Sequence, residues 1–301
     1  MKIVSLSFDD GTIYDLRFIE LLNKYNLKAT LNLNSELNDF VWYYDDQHPI
    51  KRLDLKEVKE AYNGHEVASH SLTHPYFSSL EGKEVIRQVK NDVENLSKIF
   101  GYNIEGFAFP FHDQTEENIQ TIKDNVDLAY IRYSYLDHSG KHMDRYHIHI
   151  NALYDDEDIY DRLEEFKKEE ENSLFVIAGH AYEFEVKNDW GKIERLLKHL
   201  ANDKDVVVLT LKEAVRVLEN KTVVSYPTIF EKDDEYYNVT VPDIFGGVTC
   251  GKGYHDAVYM AKDMIKLMLK EAPGQCFPSK TLEETQRNFP DKLVIMVEVE
   301  V

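Results

Sequence analysis

The chain is poor in cysteine, in basic charge and in long apolar runs, and each shortage closes off a class of protein. Only Cys250 and Cys276 occur, both late in the chain, so no disulfide framework can staple the fold, and two reduced thiols fit a reducing compartment. Lys and Arg number 35 against 55 Asp and Glu, leaving a formal charge of −20. That sign disfavours attraction to phosphate backbones or anionic membrane surfaces, so nucleic acid and membrane are set aside as partners. Met1-Lys2 runs straight into the apolar stretch Ile3–Phe8, with no long hydrophobic segment or small-residue cleavage site before it, and a cytoplasmic location is the expectation. A hydrophobic share of 43% over 301 residues is ample for one large domain and a small one.

From Lys2 to about Leu218, short β-rich runs alternate with stretches of helical period, the pattern of repeated βα units on a mostly parallel sheet. Strands are expected at Ile3–Phe8, Ala29–Leu33, His65–Ser69, Gly106–Phe109, Asp127–Ile131, Leu174–Ala178 and Val206–Leu209, with an irregular, inserted strand at Tyr146–Ile150. Helices are expected at Asp15–Tyr25, Leu55–Tyr62, Glu116–Asn125, Asp156–Glu170, Trp190–Leu200 and Leu211–Leu218. A further one should start from a capping box at Ser78 and Glu81 and run to Phe100. About seven units result, enough to close a barrel. After Glu219 the composition changes: strands at Val224–Phe230, Tyr236–Val241, Phe245–Cys250 and Leu293–Val299 and a helix from Tyr254 to Lys270 read as a small α+β domain. The expected division is 1–220 and 221–301.

Polar clusters fall at the C-terminal ends of the first domain's strands, where the loops of a parallel barrel converge. Asp9-Asp10-Gly11, His70-Ser71-Leu72-Thr73-His74, Phe109-Pro110-Phe111-His112, Arg132 and Gly179-His180 are the five. Two histidines at i and i+4 can aim both rings at one point in a helical turn, and one carboxylate completes a three-ligand set with an open position. Zn²⁺ suits it, and mixed nitrogen and oxygen ligation also admits Co²⁺, Ni²⁺ or Fe²⁺. Because Cβ direction alternates along a strand, Asp10 is read as the ligand and Asp9 as the general base. His180, on a separate strand, is read as the general acid. Glu183 and Trp190 are candidates to shape the substrate site, with core or surface roles the alternative. His65 is read as a packed histidine; His112, His147 and His149 have no motif spacing, and Glu164–Glu171 reads as a solvated helix face and end.

Ser7-Phe8-Asp9-Asp10-Gly11, His70-Ser71-Leu72-Thr73-His74 and Pro110 together resemble the polysaccharide deacetylases of the NodB-type carbohydrate esterase family, over about residues 1–219. The resemblance implies a distorted (β/α) barrel, a divalent metal on Asp10, His70 and His74, Asp9 as base, and His180 as the acid of a late Leu-x-His-like element. The family's third motif, R-x-P-Y, is here Ala108-Phe109-Pro110-Phe111, so its arginine and tyrosine are absent. Arg132, at the next strand end, is the candidate replacement through a bidentate contact with Asp9. The backbone N–H of Phe111 remains a donor for an oxyanion.

The tail, from Tyr226-Pro227-Thr228-Ile229-Phe230 to the helix at Asp256–Leu269, resembles a HicB-type antitoxin domain, which is similar to a half double-stranded-RNA-binding fold. The resemblance implies an interaction module, and a homo-oligomer or a protein partner is expected there. The leading expectation is a metal-dependent N-deacetylase acting on an acetylated amino sugar or oligosaccharide. An amidase on a small non-carbohydrate amide and a weakly active scaffold are the alternatives.

Overall fold

The computed structural model describes residues 1–111, 113–136, 144–169, 172–272, 276 and 278–301. The backbone separates into two compact units, one of residues 1–92 and 105–219, the other of residues 93–104 and 220–301.

Up to residue 219 the elements follow as β1 (Lys2–Asp9), α1 (Asp15–Lys24), β2 (Thr30–Leu33), β3 (Val41–Tyr43), β4 (Pro49–Lys51), α2 (Leu55–Val58), β5 (Glu66–Ser69), α3 (Gly82–Phe100), β6 (Gly106–Ala108), α4 (Glu116–Asn125), β7 (Tyr130–Leu136), β8 (Ile148–Ile150), β9 (Ala152–Leu153), α5 (Ile159–Phe166), β10 (Ser173–His180), α6 (Ala181–Val186), α7 (Trp190–Asn202), β11 (Val207–Val208) and α8 (Leu211–Leu218), all in the first unit except the part of α3 from Val93 on. The main sheet runs β8-β7-β6-β5-β2-β1-β10-β9, and its pairings are parallel. Its two ends, β8 and β9, are consecutive in the chain with only Asn151 between them, so the sheet curls nearly closed. The barrel is distorted at β1. One edge of β1 pairs with β10 over all eight residues, while β2 takes Ser7–Asp9 and β11 takes Ile3 and Val4.

Helical period clads this barrel. On α7, Ile193, Leu196, Leu197 and Leu200 are buried at spacings of three, four and seven, the stripe an amphipathic helix buries against a sheet. The barrel interior follows strand period two. Ile3, Ala68, Tyr130, Ile148 and Val176 form an apolar layer with Leu211, Ala214 and Val215 of α8. A polar layer accompanies it, in which buried Glu66 accepts hydrogen bonds from Thr30 Oγ1 (2.8 Å), Tyr130 Oη (2.9 Å) and Lys212 N (3.0 Å). Burial still raises the Glu66 pKa above the ordinary value despite nearby Lys212.

Several boundaries differ from the sequence expectation. Ser78 caps nothing: its N–H donates to Asp113 (2.8 Å), Phe77–Ser79 is a 3₁₀ turn, and α3 starts at Gly82. The segment expected as Asp127–Ile131 begins as strand only at Tyr130, which leaves Arg132 inside β7 rather than at its end. α5 is shorter than Asp156–Glu170, and residues 170 and 171 of the acidic run lie outside the described residues. The antiparallel hairpin β3–β4 was not expected.

The second unit is an antiparallel sheet of β12 (Val223–Asp233), β13 (Tyr236–Thr240), β14 (Val248–Lys252) and β15 (Leu293–Glu300), ordered β14-β13-β12-β15, with α9 (Gly253–Glu271) and α10 (Leu282–Asn288). Tyr226, Phe230, Val239, Val258, Ala261, Ile265, Ile295 and Val297 make its apolar core. This small α+β unit also takes residues 93–104. Tyr102 bridges to Met296, and the Asn103 N–H donates to the Met296 carbonyl (3.1 Å), a pairing remote in sequence from residues 221–301.

Candidate active site

The register of the barrel assembles the site. Asp9, the last residue of β1, lies opposite Asn32 on β2 and His180 on β10. Its carboxylate accepts from Asn32 Nδ2 (2.7 Å) and, at both oxygens, from Arg132 Nη2 (2.8 and 2.7 Å). One nitrogen thus serves both oxygens, where the sequence suggested a two-pronged fork. Burial pushes the Asp9 pKa up, but Arg132, His70 and His180 outweigh it and hold the group below the ordinary value.

Asp10 follows the strand with φ +89°, a region non-glycine residues rarely enter and which costs on the order of 1–3 kcal/mol. Its N–H donates to the Asn32 carbonyl (3.0 Å), and Arg52 holds both its carbonyl (Nη1, 2.5 Å) and Oδ1 (Nη2, 2.8 Å). Burial opposes ionisation of Asp10, while Arg52, His180, His74 and His70 favour it and leave its pKa lowered.

His70 and His74 do not sit on a helical turn. Ser71 and His74 both have positive φ, and the segment is pinned from outside by Asn34 Nδ2, which donates to the carbonyls of His70 (2.5 Å) and Ser71 (2.7 Å). His70 Nδ1 lies 2.8 Å from the Ala108 carbonyl. A carbonyl only accepts, so Nδ1 carries the hydrogen and Nε2 keeps its lone pair. That Nε2 is 3.9 Å from Asp10 Oδ1, and His74 Nε2 is 3.4 Å from the same atom. Burial lowers the pKa of His74, and that of His70 to about 3, so both rings are neutral at pH 7. Three donor atoms from Asp10, His70 and His74 lie within 4.8 Å of one another. Two neutral imidazoles and an ionised carboxylate fit a divalent cation. Glu164, His199 and Asp203 are equally close together, but the Lys167 ammonium already bonds Glu164 (2.6 Å) and Asp203 (2.7 Å).

His180 Nε2 is 3.9 Å from Asp10 Oδ2, and Nδ1 is 3.4 Å from Glu183. Burial disfavours its charged form, but the Glu183 hydrogen bond and the Asp10 and Asp9 carboxylates raise its pKa to about 9. Asp9, Asp10, His70, His74, His180 and Glu183 line a cavity of about 670 Å³, together with Phe40, Trp42, Arg52, Phe111 and Tyr182. Trp42 meets Tyr182 edge-on (centroids 5.6 Å), and Phe111 stacks on Tyr76 (4.1 Å) beside His74 (4.4 Å).

The structure therefore gathers Asp9, Asp10, His70, His74, Phe111, Arg132, His180 and Glu183. It excludes Trp190, which is absent from the cavity lining and instead donates to Glu185 (2.7 Å) under the Arg17 guanidinium. His147 is engaged by Asp144 and Glu116, His65 accepts from the Ala29 N–H, and His112 lies outside the described residues. Asn32, Asn34, Arg52 and Trp42 were missed. Asn32 carried a signal, a polar residue in register with Asp9 inside an apolar strand. The aromatic run Phe40–Tyr44 before Asp45-Asp46-Gln47-His48 was legible as a hairpin.

A family model described as polysaccharide deacetylase matches residues 1–131. The chain is 31% identical over 129 residues to the peptidoglycan-N-acetylmuramic acid deacetylase PdaC of Bacillus subtilis (strain 168), a stretch covering 42% of this chain and 25% of that protein. It thus spans about a quarter of the curated relative it matches. Among solved structures it is similar to the Xyl-CE4 domain of a multidomain xylanase from the hindgut metagenome of Trinervitermes trinervoides (TM-score 0.48, 16% identity, 73% of this chain and 92% of that one). It is also similar to a family 4 carbohydrate esterase from Streptomyces lividans (TM-score 0.47, 18% identity, 68% and 91%). The family match covers the residues from Asp9 to His74.

Proposed function

We propose that the chain is a metal-dependent hydrolase that removes the acetyl group from an amide nitrogen of an acetylated amino sugar or oligosaccharide. The observation that carries the reading is the convergence of donor atoms from Asp10, His70 and His74, with Asp9 and His180 lining the same cavity. A divalent cation on Asp10, His70 and His74, Zn²⁺ by ligand type, would polarise the acyl carbonyl and acidify water. Asp9, oriented by Arg132 and Asn32, accepts the proton of the attacking water at its carboxylate. His180, braced by Glu183, delivers a proton from Nε2 to the leaving nitrogen, so the products are acetate and a free amine. The Phe111 N–H is the donor proposed for the oxyanion. Trp42, Phe40 and Tyr182 offer apolar faces to a sugar ring.

Residues 221–301, HicB-like by sequence, are proposed as an interaction domain for a second copy or a protein partner, and the chain as cytoplasmic.

Acetate release from chitooligosaccharides and N-acetylated monosaccharides by metal-loaded protein tests the reading. Release lost in Asp9→Asn and after chelation supports it. No release despite one bound metal per chain favours a small-amide hydrolase or a scaffold.

A further inference from the structure

The hairpin β3–β4 returns its chain to the site in a way the ligand motifs do not require. Its base is stitched to the residues just after Asp10: Ile13 N–H donates to the Lys51 carbonyl (3.0 Å), Leu53 N–H to the Gly11 carbonyl (2.9 Å), and Thr12 bridges to Arg52. Arg52, 5% exposed, is thereby delivered under the site, with its guanidinium carbon 5.0 Å from the Trp42 ring centroid. Its Nη2 holds Asp10 Oδ1, the oxygen facing both histidines, and Nη1 holds the Asp10 carbonyl and Asn34 Oδ1. Asn34, 4% exposed, turns its amide nitrogen onto the carbonyls of His70 and Ser71.

We infer that Arg52 and Asn34 form a strut that sets the spacing between the Asp10 and His70–His74 segments before a metal arrives. They are positioning residues: neither supplies a metal-ligating donor, and both act through groups that do. The physical need is plain. Backbone bonds to β2 fix only the first residue of each ligand segment, Asp10 N–H to the Asn32 carbonyl and His70 N–H to the Leu33 carbonyl; Asp10, Ser71 and His74 lie at positive φ, and beyond the strand ends side chains must help to hold the arrangement. An Arg52 bond takes one lone pair of Oδ1, and a carboxylate oxygen has a second one to offer a cation. Hydrogen-bond partners of ligating groups are worth roughly 10- to 100-fold in metal affinity. The inference rests on the metal-dependent reading above and extends it to the hairpin, which becomes part of the metal site.

The test is Zn²⁺ affinity measured by competition with a chromophoric chelator for the wild-type chain, Asn34→Ala and Arg52→Lys. Both substitutions preserve net charge, so the Coulomb effect of deleting a cation does not enter, and Asn34→Ala stands alone if Arg52→Lys does not fold. Circular dichroism establishes folding. Each folded variant should bind Zn²⁺ at least about tenfold more weakly. Wild-type affinity in the folded variants, with or without a lower unfolding temperature, would make the pair merely structural and overturn the strut. Failure of the wild-type chain to take up Zn²⁺ would overturn both this inference and the function it rests on.

Discussion

The two units solve the same packing problem with opposite chemistry. The second unit encloses an almost wholly apolar core between an antiparallel sheet and α9, whereas the barrel buries Asp9, Asp10, Arg52, Glu66, Asp92 and Arg132 among its apolar layers. A core of Val, Ile and Phe needs only shape and volume. A core of charges needs every partner, because an unpaired buried charge is among the costliest features a fold can carry. The difference locates the chemistry: groups whose pKa values are driven apart, as in Asp9 and His180, occur where the fold has arranged compensation.

The sharpest break in that comparison is Asp9→Asn, expected to lower the rate of acetate release about 10²- to 10⁴-fold, measured at saturating substrate in protein with unchanged circular dichroism. Next, Arg132→Met leaves Asp9 buried without its cation, and urea unfolding should show a loss of about 3–5 kcal/mol. A loss under 1 kcal/mol would mean the pair is not the strain-bearing part of the barrel. The counterpart in the other unit is Ile295→Ala, fully buried. It should cost about 2–5 kcal/mol, seen as faster hydrogen exchange in β12 and β15, with no change in acetate release.

Glu66→Gln sharpens the comparison through pH. Because burial raises the Glu66 pKa in the folded chain, the native state binds that proton more tightly than the unfolded one. Its contribution is therefore fully present below the ordinary carboxylate value and lost as pH rises through the folded value. Denaturation midpoints at pH 4, 5, 6 and 7 should fall less steeply with pH in the variant, and parallel profiles would contradict the assignment. The smallest effect concerns thiols: exposed Cys250 should react with a thiol reagent in the folded chain while buried Cys276 reacts only on unfolding.

Period and punctuation made most of the fold legible. The alternation of β and α segments, the strand-end acids and the histidine pair marked a barrel and its rim, and the tail's strands and long helix were found within a few residues. The misreadings share a cause. Ser78 and Glu81 have the spacing of a capping box, yet a partner 35 residues away, Asp113, takes the Ser78 N–H. Trp190 lies near His180 in sequence, but the amphipathic stripe of α7 turns it toward Glu185 and Arg17.

By itself, then, the sequence determined which residue types stood at the strand ends, because period two and helical period are local and are written in neighbouring side chains. Only the tertiary structure decided how those ends meet: Arg132 on Asp9, Asn34 on the His70 segment and Arg52 on Asp10 are contacts across 123, 36 and 42 residues. No local pattern encodes such distances. They arise when a closing sheet fixes its register and buries charges that must then find one another.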